Sequence, residues 1–138
     1  MVEENVIKLR RAQLMIAKEI KRICDLNNIN YFLDSGSMLG AVRHSGFIPW
    51  DDDMDIGMCC DDYEKFISIA PKELDNRFFL DNYETNKSNP LVFSKVRLKG
   101  TTYIENIGNN IFYKFNKFED FLAFCTYIKN MNWSVFES

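Results

Sequence analysis

The stretch Pro49-Trp50-Asp51-Asp52-Asp53-Met54-Asp55-Ile56-Gly57 places four carboxylates within five residues, in a segment that is otherwise apolar. Like charges at contact distance repel by about 4 kcal/mol at an effective dielectric near 20, so this run cannot enter a core and calls for a counter-charge, which a bound cation supplies. Pro49 lacks an amide hydrogen and restricts Ile48, so residues 47–49 are expected to be extended. Beyond them, Met54 to Met58 alternates apolar and polar. That period predicts a strand with Met54, Ile56 and Met58 toward a core and with Asp53 and Asp55 sharing the opposite face.

Two carboxylates at i and i+2 on a strand can hold Mg²⁺ or Mn²⁺ jointly, because these hard cations take oxygen ligands and leave positions open for a substrate phosphate. An EF-hand loop is excluded, since its sixth place requires glycine and here holds Ile56. Upstream, Tyr31-Phe32-Leu33 predicts a short strand, Asp34-Ser35-Gly36-Ser37 a turn, and Met38 to Arg43 a helix. Gly36 permits close backbone approach. Ser37, read as the residue heading the helix, either caps it or leaves its amide and the positive dipole end to a phosphate oxygen. Arg43, at the far end, either contacts phosphate or complements the negative dipole end. Asp34 fits a base or a structural role, and His44 reads as a loop histidine.

The rest of the chain reads as scaffold. Val6, Leu9, Ala12, Ile16, Ile20, Ile23 and Leu26 recur at spacings of three and four, predicting an amphipathic helix from Glu3 to about Asn27. Lys8, Arg10, Arg11, Lys18, Lys21 and Arg22 then form its solvated side. Asp61 with Glu64 suggests a capping box for a helix whose stripe is Tyr63, Phe66, Ile67 and Ala70 and which stops at Pro71. Strands are expected at Phe78-Phe79-Leu80, Leu91 to Leu98 and Thr101 to Ile104, with Lys99-Gly100 turning between the last two, and a helix from Lys117 to Lys129. Lys95 and Arg97 share one strand face, where they either hold a diphosphate or are ordinary surface charges.

A chain of 138 residues fits one domain, here 1–138. Its net charge of -3 provides no basic field for a nucleic-acid polymer. No stretch of about 18 apolar residues exists to span a bilayer and the N-terminus lacks an apolar signal core, so a cytoplasmic location is expected. Cys24, Cys59, Cys60 and Cys125 lack zinc-ligand spacing with the lone His44, and reduced thiols are expected.

The segment from Tyr31 through Asp34-Ser35-Gly36-Ser37-Met38-Leu39-Gly40-Ala41-Val42-Arg43-His44 and on through Phe47-Ile48-Pro49-Trp50-Asp51-Asp52-Asp53-Met54-Asp55-Ile56-Gly57-Met58 resembles the LicD phosphocholine transferase family, to which fukutin-type phosphotransferases are related. The likeness continues through Asp62-Tyr63-Glu64-Lys65-Phe66, Lys95-Val96-Arg97 and Thr101 to Glu105. It implies an α/β nucleotidyltransferase-like fold, a twisted mixed sheet flanked by helices, with Gly36 and Ser37 on nucleotide phosphate and Asp53 and Asp55 on a divalent metal. It also implies a CDP-linked donor such as CDP-choline and a glycan acceptor in lipopolysaccharide, teichoic acid or capsule synthesis. At Asn106-Ile107-Gly108-Asn109-Asn110-Ile111-Phe112 the chain departs from the family's Gly-Ile-Phe-Ile-Asp-Ile-Phe-Pro pattern, so 106–138 is diverged and the pattern's aspartate has no counterpart there. Glu105 is the nearest carboxylate and Asp120 falls in expected helix. A catalytically impaired nucleotide- or partner-binding remnant of the same fold is therefore the alternative expectation.

Overall fold

The helical stripe near the N-terminus forms α1, Glu4–Leu26, in a computed structural model that describes residues 4–51, 53–88 and 93–101. Ala17, Ile23 and Cys24 are fully buried, and Glu19 is buried beside them. The helix closes with a left-handed residue, Asn28 at φ 54, and the Ile29 amide reaches back to the Cys24 carbonyl at 2.9 Å. This six-to-one bond ends a helix while burying the apolar residue that follows. Leu26, expected on the buried face, is instead 69% exposed, because the chain turns away at the very next residues.

Six further elements follow: β1 Phe32–Leu33, α2 Ser35–Arg43, β2 Ile56–Gly57, α3 Cys60–Glu73, β3 Phe78–Asp81 and β4 Lys95–Leu98. The mixed α/β class is as expected. Among the described residues the strands form two antiparallel pairs, β1 with β2 and β3 with β4. Phe32 pairs with Gly57 and Leu33 with Ile56, while Leu80 pairs with Val96 and Asp81 with Lys95. Gly57 is required by packing, since a Cβ there would lie 2.3 Å from the Phe32 ring.

Two apolar groups result. Ile23, Cys24, Ile29, Phe66, Ala70 and Leu80 form one, joined by Met58 and Val96, which seats β3 and β4 against α1 and α3. Phe32, Leu33 and Ala41 form the other, with Leu14, Met38, Phe47, Met54 and Ile56 packed around them, which fastens α2 and β2 to the middle of α1. Burial raises the Cys24 thiol pKa to about 12, so this sulfur is an inert core group. Cys59 and Cys60 are free thiols as well.

Around α3 the structure corrects two expectations. The helix begins at Cys60 with Cys59 as its cap and no side-chain capping bond, so the Asp61 and Glu64 pair makes no capping box. Asp62 works outward instead, its Oδ1 accepting the Asn30 amide at 3.1 Å and tying α3 to the segment before β1. Nor does Pro71 stop the helix, which runs on to Glu73. So close to the end a missing amide frees only one carbonyl, and the Leu74 amide still closes on Ala70 at 2.9 Å.

Residues 1–3, residue 52, residues 89–92 and residues 102–138 lie outside the described part, and with them the expected helix start at Glu3, Asp52, Leu91 and Val92 of the Leu91 to Leu98 strand, the Thr101 to Ile104 strand beyond its first residue, the Lys117 to Lys129 helix, Cys125, Glu105 and Asp120. Among the described residues no helix is long and apolar enough to cross a membrane.

Candidate functional site

Three hydrogen bonds from backbone amides build the junction of β1, α2 and β2. The Asp34 amide donates to the Asp55 carbonyl at 3.0 Å, extending the β1–β2 ladder by one step. Asp34 then caps α2, its Oδ1 accepting the Ser35 amide at 2.8 Å. Two residues into the helix, the Ser37 hydroxyl accepts the Asp55 amide at 2.8 Å. Asp55 is thus clasped through both its amide and its carbonyl against the N-terminal turn of α2.

The expected roles at this turn shift by three residues. Ser37 does not head the helix; Asp34 does, and Ser37 is its third residue, buried, with its hydroxyl turned to β2. The Met38 amide is the first to bond back along the chain, to the Asp34 carbonyl at 3.3 Å. The Gly36 and Ser37 amides therefore precede the helical ladder and stand at its positive end. Ser35 holds a left-handed φ of 50, a conformation that costs a non-glycine residue about 1–2 kcal/mol and that aims the turn. Gly36 lies so close to Asp51 that a Cβ there would come within 2.2 Å of its Oδ2. A carboxylate against a helix N-terminus is the arrangement that an anion, phosphate included, adopts there.

Asp53 and Asp55 are exposed, while Met54 and Ile56 pack on the Phe32, Leu33 and Ala41 group. The alternation expected from the sequence therefore holds in burial through residues 53–56 and leaves the two carboxylates exposed just ahead of β2, which spans only Ile56–Gly57 of the strand expected from Met54 to Met58. As a donor set they suit a hard divalent cation. Among the described residues no group of three or more histidine, cysteine or acidic side chains is placed to hold a metal. Two carboxylates alone match the way Mg²⁺ is commonly held, with water and substrate phosphate completing its shell.

The other expected phosphate ligands are spread out. Arg43 is exposed in the last turn of α2, about 10 Å along the axis from Gly36 at 1.5 Å per residue. Lys95 and Arg97 sit on β4, in the other sheet. Arg97 donates from Nε to Oδ2 of buried Asp81 at 2.6 Å, and the Lys95 ammonium lies 5.9 Å from the Phe93 ring centroid. Arg97 is thereby engaged in holding β3 to β4. His44 follows α2 and stands edge-on to Trp50, with ring centroids 5.8 Å apart.

Sequence reasoning missed Arg10. Placed on the solvated side of α1, it is half-buried, and its Nη2 donates to the carbonyls of Ile48 at 3.0 Å and Pro49 at 2.8 Å, with the Asp51 carbonyl at 3.5 Å. Its guanidinium also lies 5.3 Å from the Phe47 ring centroid. The spacing held a signal, because residues 10, 14, 17 and 24 fall on one helical stripe with Leu14, Ala17 and Cys24.

A family model described as LicD/FKTN/FKRP, nucleotidyltransferase domain, matches residues 28–136. The lipopolysaccharide cholinephosphotransferase LicD of Haemophilus influenzae is 36% identical over 81 residues, 56% of this chain and 31% of that protein. Human ribitol 5-phosphate transferase FKRP is 38% identical over 52 residues, 38% of this chain and 10% of that protein. Mouse ribitol-5-phosphate transferase FKTN is 34% identical over 64 residues, 46% of this chain and 14% of that protein. Each match thus spans less than a third of the curated relative. No solved structure matches the chain.

Proposed function

The chain belongs to the LicD/FKTN/FKRP nucleotidyltransferase-domain family, and on that premise we propose that it transfers a phosphoryl-alcohol group, phosphocholine or a similar unit, from a CDP-linked donor to a sugar hydroxyl of a cell-surface glycan. The observation that carries this reading is the double clasp of the Asp55 backbone on Asp34 and Ser37, which ties the segment bearing exposed carboxylates to the N-terminal turn of α2. One diphosphate can meet both features. Relatives named as cholinephosphotransferase and ribitol 5-phosphate transferases support the class of group moved.

In this reading Asp53 and Asp55 hold Mg²⁺ or Mn²⁺, which would supply charge neutralisation at the attacking and leaving oxygens. The Gly36 and Ser37 amides receive a phosphate oxygen, displacing the Asp51 carboxylate that lies against Gly36. Arg43, from the far end of α2, reaches the second phosphate or the acceptor. Lys95 and Arg97 join only if the donor extends to β4, and Arg97 would then act while paired with Asp81. The acceptor oxygen attacks the phosphorus bearing the alcohol in line, the bond to the CMP oxygen breaks, and the hydroxyl proton passes to solvent or a carboxylate. Positioning and electrostatics supply the acceleration, as is general for phosphoryl transfer.

The test is CMP release from CDP-choline and CDP-ribitol with Mg²⁺ or Mn²⁺, in wild type and Asp53→Ala, with a glycan acceptor present. Release that depends on Asp53 and on the ion supports the proposal. A chain that binds CDP yet releases no CMP from any CDP-alcohol is the impaired remnant, a reading that the departure from the family pattern at Asn106 to Phe112 favours. Metal-independent CDP binding counts against the two-aspartate site.

A further inference from the structure

Arg10 belongs to α1, ahead of the residue at which the family match begins. It nevertheless crosses 38 to 41 positions of sequence to meet three carbonyls of the segment that leads into the acidic run, those of Ile48, Pro49 and Asp51. That segment turns tightly, the Asp51 amide closing on the Ile48 carbonyl at 3.0 Å, so one nitrogen collects carbonyls that a turn has already gathered. The guanidinium lies over the Phe47 ring, 5.3 Å from its centroid, and that ring is packed on the Phe32, Leu33 and Ala41 group. Its Nε is buried without a hydrogen-bond partner among the described residues, so the side chain is not simply optimised filler for that space.

On the other side of the same acidic run, Asp55 is clasped by Asp34 and Ser37. The carboxylates therefore hang between two anchors, one at each end: Arg10 at Ile48 to Asp51, and the α2 turn at Asp55. We propose that Arg10 is a positioning residue, which fixes the entrance of the acidic segment from α1 so that Asp51, Asp53 and Asp55 are set for ligand before it arrives. This rests on the reading of Asp53 and Asp55 as metal ligands. It extends the functional unit to a helix outside the matched domain, with the consequence that a chain lacking α1 would keep every matched site residue and lose their alignment.

Two measurements on the full chain test it. Hydrogen exchange reads the alignment itself: in Arg10→Met, amides of residues 47–55 should exchange faster while those of α3 and β3 keep their wild-type rates. Mn²⁺ titration in the presence of CDP reads its use. Simple removal of a positive charge beside carboxylates would tighten metal binding, whereas loss of alignment weakens it, so the sign discriminates. Affinity should fall about tenfold in Arg10→Met, the scale seen when groups that orient metal ligands are removed, and Arg10→Lys, which keeps charge and donors on a shorter stem, should recover part of it. Unchanged exchange across residues 47–55 overturns the proposal, and so does Mn²⁺ binding that is unchanged or tighter in Arg10→Met. If the wild-type chain binds no Mn²⁺, the metal reading above falls, and exchange alone then decides whether Arg10 positions the segment.

Discussion

Around α1, α3 and the β3–β4 pair, carboxylates go inside and are met by an arginine whose own side chain reaches the surface. Glu19, 8% exposed, pairs with Arg22 and accepts the Asp75 amide at 3.1 Å, and Asp81, 7% exposed, accepts from Arg97 at 2.6 Å. Around β1, β2 and α2 the carboxylates of Asp53 and Asp55 stay in solvent, and the backbone carrying them is what is tied down. A buried carboxylate with a guanidinium beside it is held for the fold, because removing the arginine leaves a buried charge uncompensated. An exposed carboxylate on a pinned backbone contributes little to stability and stands open to solvent cations. The same residue type is spent on cohesion in one region and left at the surface in the other.

The sharpest way to break this contrast is at Asp53. Asp53→Ala should lower metal-dependent CMP release at least about a hundredfold, the rate equivalent of losing about 3 kcal/mol of charge stabilisation. Its thermal unfolding should stay within about 0.5 kcal/mol of wild type, as for other surface substitutions. A variant that unfolds early would move Asp53 into the structural class. Gly40 probes how tightly the chemical region is packed: a Cβ there would meet the Gly46 carbonyl oxygen at 2.4 Å and the Ile48 nitrogen at 3.1 Å, both backbone. Denaturant titration of Gly40→Ala should show a loss of about 3 kcal/mol, since neither neighbour is a flexible side chain.

In the structural region, Glu19→Ala should cost about 1–2 kcal/mol, chiefly through the Asp75 amide left without its acceptor, with activity unchanged per folded molecule. Its pH dependence has a definite sign. The hydrogen bond from Arg22 lowers the Glu19 pKa below its ordinary 4.5, against the opposing effect of burial. Its contribution is therefore complete above pH 4.5 and lost as pH falls through the lower folded value, so the wild-type unfolding midpoint should drop below about pH 4.5 more steeply than that of Glu19→Gln. The smallest effect is expected at Ser37. Ser37→Ala removes the acceptor of the Asp55 amide and should destabilise by about 1 kcal/mol. It should weaken metal-dependent CDP binding less than Asp53→Ala does, through misplacement of the strand.

Much of this was legible from residues alone, for reasons of period. The stripe of α1, the alternation of Met54 with Asp55, and the order of strand, small-residue turn and helix at residues 31–43 are each set by local geometry that repeats along the chain. The helix cap at Asp34 was harder to read, because Ser35, Gly36 and Ser37 are all acceptable at a helix start and only the position of β2 decides which hydroxyl faces inward. Arg97 looked free on its strand face, since its partner Asp81 lies on a separate strand whose register no local pattern reveals.

What the sequence determined by itself is where charge cannot be buried and where the chain must bend, since Coulomb repulsion among neighbouring aspartates, the missing amide of Pro49 and the side-chain period act over a few residues. What only the tertiary structure decided is which backbone groups close the gaps between those pieces: the Asp55 amide on Ser37, the Asp34 amide on Asp55, and Arg10 on the turn before the acidic run. Those bonds join residues 18 to 41 positions apart. The cluster of Phe32, Leu33 and Ala41 brings their elements together, and a hydrogen bond across such a span has no local cause.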